Sequence, residues 1–330
     1  MDKTKTLLFF LFLFTLLLTT SFSKNLCHKD DKKALLKIKR SLNNPYSLST
    51  WDPSTDCCSS WSGVHCGDDF KYRVTGLFIN SDDKLSGHIS PEVGDLTYLE
   101  NLVFQYLPNL TGKIPPTIAK LKYLVLLWVQ STNVAGPVPG FLSQLKNLQF
   151  LDLSNNKFSG SIPTSLSLLP NLLSLNLKGN KLTGSIPESF QRKVLYLDLS
   201  HNHLSGSIPK SLGKLHFYSI DLSWNKLEGD ASMLFGANKT TYDIDLSRNK
   251  FQFNLSRVKI PSTLDHLDLN HNRITGNISA QWTEVPLSVF NVSYNKLCGR
   301  IPNGGNLQKF DSSSYFHNKC LCGAPLKSCK

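Results

Sequence analysis

After residue 23 the chain has no apolar run of about 20 residues, the length a membrane-spanning helix needs, so nothing later is expected to cross a bilayer. No cysteine lies between Cys66 and Cys298. That gap excludes a disulfide framework or thiolate metal cluster as the organising feature of the centre. A serine-nucleophile elbow, an HExxH pair and a phosphate-binding loop are all missing, so hydrolase, metalloprotease and nucleotide motifs give no catalytic assignment. Acids are in deficit: 24 Asp and Glu stand against 36 Lys and Arg, a formal net charge of +12. The lysines are dispersed and lack interleaved aromatics, so the charge points to an acidic wall polysaccharide or acidic protein, not to nucleic acid.

What the chain does contain is a repeat. Leu151-Asp152-Leu153, then Asn156, then Gly160-Ser161-Ile162-Pro163 returns as Leu175-Asn176-Leu177, Asn180 and Gly184-Ser185-Ile186-Pro187. It returns again as Leu197-Asp198-Leu199, Asn202 and Gly206-Ser207-Ile208-Pro209, with looser copies at Asn225, Asn249, Asn272 and Asn295. A fixed period in this range with LxxLxLxxNxL is the leucine-rich-repeat signature. Phased on Gly160, the pattern gives ten repeats, with Phe253 where the glycine should stand and a shortened unit at 189–193. The expected fold is an α/β solenoid: a curved, right-handed array of ten plant-type repeats with a parallel concave β-sheet and disulfide-bonded caps. In each LxL the two apolar residues face inward and the middle one outward. The asparagine satisfies turn backbone, and GxIP makes a second turn before short helical turns return over the outer face.

The expected divisions are a secretory leader at 1–23, an N-terminal cap at 24–72, repeats at 73–302 and a C-terminal cap at 303–330. The cap helix is expected to open at Asp30 or Asp31 and to stop at Asn43-Asn44-Pro45. All eight cysteines fall in the caps: Cys27, Cys57, Cys58, Cys66, Cys298, Cys320, Cys322 and Cys329. Their compartment and even number favour disulfides over a metal site at Cys320 and Cys322, with pairing 27–57, 58–66, 298–320 and 322–329 expected. No metal, cofactor or catalytic residue is assigned. Neighbouring strand acids such as Asp221 and Asp245 approach the spacing of a glycosidase pair, but an open sheet supplies no sugar cleft.

The outward strand positions form the candidate partner surface. They include Trp128, Gln130, Asp152, Asp198, Asp221, Asp245, Asp268 and His271, with an exposed Phe78–Val103–Trp128 run at one end. Sequons begin at Asn109, Asn238, Asn254, Asn277 and Asn291, as on a secreted surface. A glycan at Asn291 would cover the last part of the concave face.

Several stretches carry a closer resemblance. The double-cysteine cap Asp52-Pro53…Asp56-Cys57-Cys58, the segment Glu228–Gly236 and the ending Tyr315–Pro325 resemble those of plant polygalacturonase-inhibiting proteins along essentially the whole chain. The resemblance implies a secreted cell-wall protein, not an enzyme, that binds fungal or insect endo-polygalacturonase on its concave face. It also implies association with de-esterified pectin through basic residues, and it places partner contacts on Val103, Gln105, Asp152, Leu173, Tyr196, Asp198, Asp221 and Tyr242. The alternative is a secreted recognition module for a peptide or a receptor ectodomain.

Overall fold

The computed structural model describes residues 27–188, 190 and 194–330. The expected leader, and all of the shortened stretch 189–193 except Phe190, lie outside those residues.

An eleven-stranded sheet follows chain order. Strand β1 (Val64–Gly67) runs antiparallel to β2 (Arg73–Asn80). From β2 on every pairing is parallel, through β3 (Asn101–Leu107), β4 (Leu126–Thr132), β5 (Phe150–Asp152), β6 (Ser174–Asn176) and β7 (Tyr196–Asp198). The series ends with β8 (Ser219–Asp221), β9 (Asp243–Asp245), β10 (His266–Asp268) and β11 (Val289–Asn291). Register is set by the repeat: Leu151, Leu175 and Leu197 lie side by side and are at most 1% exposed. Each such leucine contributes about 2 kcal/mol through burial, repeated down one continuous core.

The glycine phase marks a second line of short strands that the sequence pattern had suggested only as a turn. Lys157–Gly160 pairs with Ala135–Pro137 and Lys181–Leu182, and Ser205–Ser207, Lys226–Gly229 and Lys250–Phe251 form another set. Gly160, Gly184 and Gly206 sit at φ near +80°, where a side chain would be strained. Phe253 does not adopt that conformation. Its strand stops at Phe251, the ring is buried against Phe235 at 6.0 Å, and Asn254 caps a 3-10 turn at Leu255–Arg257. The outer face is otherwise crossed by similar 3-10 turns, such as Thr164–Leu168.

The asparagines form a buried ladder. Asn180 donates to Leu153 O at 2.9 Å in the preceding repeat and to Leu177 O at 3.0 Å in its own, while accepting from Phe158 N at 3.0 Å. Asn202, Asn225, Asn249, Asn272 and Asn295 repeat the pattern. Each side chain thus satisfies backbone groups that no strand partner reaches. The ladder continues into the C-terminal cap, where Asn318 donates to Val292 O at 3.0 Å and accepts from Leu297 N at 3.0 Å.

The caps close the ends. Helix α1 (Lys29–Ser41) is capped by His28, whose ring nitrogen accepts from Asp30 N, and not by Asp30 or Asp31. Asn43 and Asn44, both at positive φ, end it. Asp31 is buried and holds Arg73 in a two-pronged pair at 2.8 and 2.7 Å, and it also accepts from Val74 N. This carboxylate raises the Arg73 guanidinium above its ordinary range. Disulfides join Cys27 to Cys57, Cys58 to Cys66, Cys298 to Cys320 and Cys322 to Cys329. At the far end Ser314 and Phe316 carbonyls accept from Val292 N and Tyr294 N at 2.8 Å, pairing the edge next to β11. Arg73→Ala strands the buried Asp31 charge, and urea unfolding is expected to show a loss of about 3 kcal/mol.

Candidate functional site

The strand centres align in one column: Phe78, Val103, Trp128, Asp152, Asn176, Asp198, Asp221, Asp245, Asp268 and Asn291 are consecutive register partners. Parallel strands sit about 4.8 Å apart, so four acids from Asp198 to Asp268 stand shoulder to shoulder. Gln105 and Gln130 are register partners on the N-terminal part of the same face.

The acids also have a local task that the sequence did not announce. Asp152, Asp198, Asp221, Asp245 and Asp268 each accept, through Oδ1, the N–H two residues on, at 2.8 or 2.9 Å. Asn176 and Asn291 make the same bond at 3.1 Å. One oxygen therefore fixes the turn that leads to the ladder asparagine, and the carboxylate is held in place on the rigid sheet. In Asp152 the second oxygen accepts from Asn176 Nδ2 at 2.9 Å.

Burial raises the pKa of Asp152, Asp198 and Asp268, and the Asp221 charge adds to the rise at Asp198. Asp245, pushed first by burial and then by Asp221, reaches about 6 from a model-compound value of 3.8. Between those values the unfolded chain has released the proton that the folded chain retains. The contribution of this group to stability therefore falls as pH rises from about 4 to about 6. Thermal unfolding from pH 4.5 to 7.5 is expected to show that decline, and Asp245→Asn is expected to flatten it.

An aromatic rim borders the acids where the chain enters the strands. Tyr196, Tyr218 and Tyr242 are 44%, 44% and 40% exposed, with ring centroids 5.4 and 5.3 Å apart. Tyr196, Asp198, Asp221 and Asp243 help to line a shallow hollow of about 310 Å³ between rim and column. Leu173, half-buried, precedes β6 on the same side.

Where the chain leaves the strands a second rim appears. In repeat after repeat the residue before the ladder asparagine is left-handed: His201, Trp224, Arg248, His271 and Tyr294 have φ between 51° and 54°. This conformation stacks His201 on Trp224, sets Arg248 4.1 Å from the Trp224 ring centre, and stacks His271 on Tyr294. Burial, then Arg248 and His317, hold the His271 imidazole below its usual range. The fixed offset from each asparagine is the signal in the sequence by which this row could be found.

The structure brings Trp128, Gln130, Asp152, Tyr196, Asp198, Asp221, Tyr242, Asp245, Asp268 and His271 onto one surface. Val103 needs correction: it is 3% exposed, sunk between the larger Phe78 and Trp128 positions, and presents no contact surface. Among the sequons, Asn109, Asn238 and Asn277 are exposed. Asn254 and Asn291 are half-buried, with Oδ1 engaged by Ser256 and Ser293. Among the described residues the one tight group of potential metal ligands is Cys27, Cys57 and Cys58, whose sulfurs are in disulfides. No helix of the described residues is long and apolar enough to cross a membrane.

Against known proteins, the family model described as Leucine rich repeat N-terminal domain matches residues 28–67. The Leucine Rich Repeat model matches 147–169, 171–192, 193–215 and 263–284. The chain is 71% identical to Polygalacturonase inhibitor 1 and 68% identical to Polygalacturonase inhibitor 2 of Arabidopsis thaliana, with 100% of both chains covered in each case. Among solved structures it resembles a plant ice-binding protein with a TM-score of 0.89 and 48% identity, over 92% of this chain and 99% of that one.

Proposed function

The chain belongs to the polygalacturonase-inhibitor family of leucine-rich-repeat proteins, and from that premise we infer that it binds an endo-polygalacturonase on its concave face and inhibits pectin degradation. The carrying observation is the full-length identity to named inhibitors. The geometry supplies a mechanism. An enzyme that acts on an acidic polymer presents basic groups around its cleft, and the acids from Asp152 to Asp268 meet them with complementary charge. Charge of this kind raises the association rate and fixes register. The exposed rings of Tyr196, Tyr218, Tyr242 and Trp224 supply the desolvated contacts that slow dissociation. A solenoid sheet seated over the cleft then blocks access of the polymer, with no chemistry required of the inhibitor.

The finer parts of the reading are secretion to the plant cell wall, fungal or insect origin of the enzyme, and association with de-esterified pectin through basic residues. The net charge of +12 and the exposed sequons support them. Family membership disfavours a recognition module for a peptide or receptor ectodomain. The test is an activity assay of purified protein against a panel of fungal endo-polygalacturonases at pH 5. Inhibition of at least one enzyme, weakened by Trp128→Ala, is expected. A folded protein that inhibits none of a broad panel overturns the assignment.

A further inference from the structure

The tyrosines of the entry rim carry chemistry that binding alone does not use. Tyr218 and Tyr242 each precede a strand by one residue, because Ser219 registers with Asp243. The Tyr242 N–H donates to Tyr218 O at 2.8 Å, which roots the two side chains one strand spacing apart, about 4.8 Å. The rings accordingly lie within 4° of parallel, with centroids 5.3 Å apart, and both are exposed. Tyr196 opens β7 one register step further along, opposite Ser219. Its ring lies 5.4 Å from that of Tyr218 and is tilted by 50°.

Two phenols held side by side on a rigid sheet are set for oxidative coupling. Loss of one electron and one proton turns each into a phenoxyl radical with spin density on its ortho carbons. Rotation of the exposed rings, with the backbone held, brings an ortho carbon of Tyr218 to one of Tyr242. A proton acceptor already stands at the second hydroxyl. Tyr242 donates to the Asp265 carboxylate, and this bond holds the phenol above its ordinary range. The carboxylate can take the proton as the electron leaves, so no positive charge builds on the ring. Among the described residues the other parallel tyrosine pair is Tyr98 with Tyr123, 5.5 Å apart at 7°. There Phe70 packs on both rings, and the Arg73 guanidinium lies 4.4 Å from the Tyr98 ring centre. A cation over the ring opposes removal of an electron from it, and Tyr98 is half-buried.

We propose that Tyr218 and Tyr242 form an oxidative cross-linking site, joined ortho carbon to ortho carbon by a haem peroxidase with hydrogen peroxide as oxidant. Each phenol gives up one electron and one proton, and the peroxide accepts both sets and leaves as two waters. Once the carbon–carbon bond has formed, each ortho hydrogen moves as a proton to its phenol oxygen, and both rings regain aromaticity. A radical formed first on Tyr196 reaches the same pair by electron transfer from Tyr218 across 5.4 Å. The bond replaces two stacked rings by one biaryl unit whose halves no longer pack separately against a partner. That consequence rests on the reading above, which sets both rings against the enzyme: oxidation then closes the inhibitor's own contact surface.

The test treats the dilute full chain with a haem peroxidase and limiting hydrogen peroxide, and isolates the monomer by size exclusion. Tryptic mass spectrometry is expected to find peptides 215–226 and 240–248 joined, with the mass of two hydrogen atoms lost. Dityrosine fluorescence is expected to rise in step. Tyr218→Phe and Tyr242→Phe keep the ring and remove the phenol, and each is expected to abolish the joined peptide. Joining of Tyr98 to Tyr123 instead, cross-links only between molecules, or no joined peptide once the peroxide is consumed, overturns the proposal. Inhibition of a polygalacturonase is read on the monomer before and after oxidation. It is expected to fall about tenfold in the cross-linked protein, the scale of losing a hot-spot contact. In Tyr218→Phe the same oxidation is expected to leave that variant's own inhibition where it was. A cross-link that forms and leaves inhibition intact overturns the closing of the surface. Untreated protein that inhibits no enzyme overturns the concave-face reading, while the joined peptide still establishes the cross-linking site.

Discussion

Asn202→Ala is expected to lose about 3 kcal/mol of stability, among the largest effects available to one substitution here. The side chain is 4% exposed and donates to Leu177 O at 2.9 Å, Leu199 O at 3.2 Å and Ser200 O at 3.1 Å while accepting from Leu182 N at 3.0 Å. Alanine leaves the buried Leu182 N–H without a partner and strips one donor from each of three carbonyls, of which Leu177 O keeps Asn180, Leu199 O keeps Asn225 and Ser200 O keeps Gly179 N. Because each unit touches only its neighbours, the damage is local and splits the array. Guanidinium unfolding should therefore show both a lower midpoint and a shallower slope, as the two halves lose their cooperativity. The neighbouring exposed His203→Ala serves as a control and is expected to change stability by no more than about 0.5 kcal/mol.

The second large effect is on function. Asp198→Asn/Asp221→Asn is expected to weaken enzyme inhibition by about tenfold or more at low salt, chiefly through a slower association rate, with the difference shrinking as salt rises. Asparagine is the right replacement because Asn176 and Asn291 already occupy this strand position and make the same Oδ1 bond to the turn. The turn is kept and only charge is removed. The folded-state pKa of Asp198 is raised, first by burial and then by Asp221, so its ionised form costs stability above its ordinary titration range. Neutralising it should leave the melting temperature unchanged or higher at pH 7. Lost inhibition with undiminished stability is the signature of acids retained for a partner. Loss of both together would assign them to the fold alone.

The solenoid was legible in the sequence because one physical rule repeats. LxL fixes which side chains enter the core, and the asparagine must be where backbone groups need it. The central column followed from period-2 alternation alone. What alternation could not give was depth: Val103 obeys it and still lies buried, because the flanking Phe78 and Trp128 positions carry larger side chains. Helix capping by His28 was missed because Asp31, a better N-cap by type, is drawn to Arg73 from a distant part of the chain. His271 was legible as a candidate, but the left-handed row that sets it in line with His201, Trp224 and Arg248 was hidden for another reason. Bulky residues are not expected at positive φ, yet here the N–H of each bonds a carbonyl of the next repeat, as His201 N does with Ser223 O and Trp224 N with Ser247 O.

Hydrogen–deuterium exchange of the protein with and without a bound endo-polygalacturonase tests the central claim most directly. New protection is expected in peptides spanning β6 to β9 and their two rims, from Leu173 to Arg248, with the outer 3-10 turns unchanged. Protection confined to those outer turns, or none on the sheet while the enzyme is fully inhibited, would contradict it.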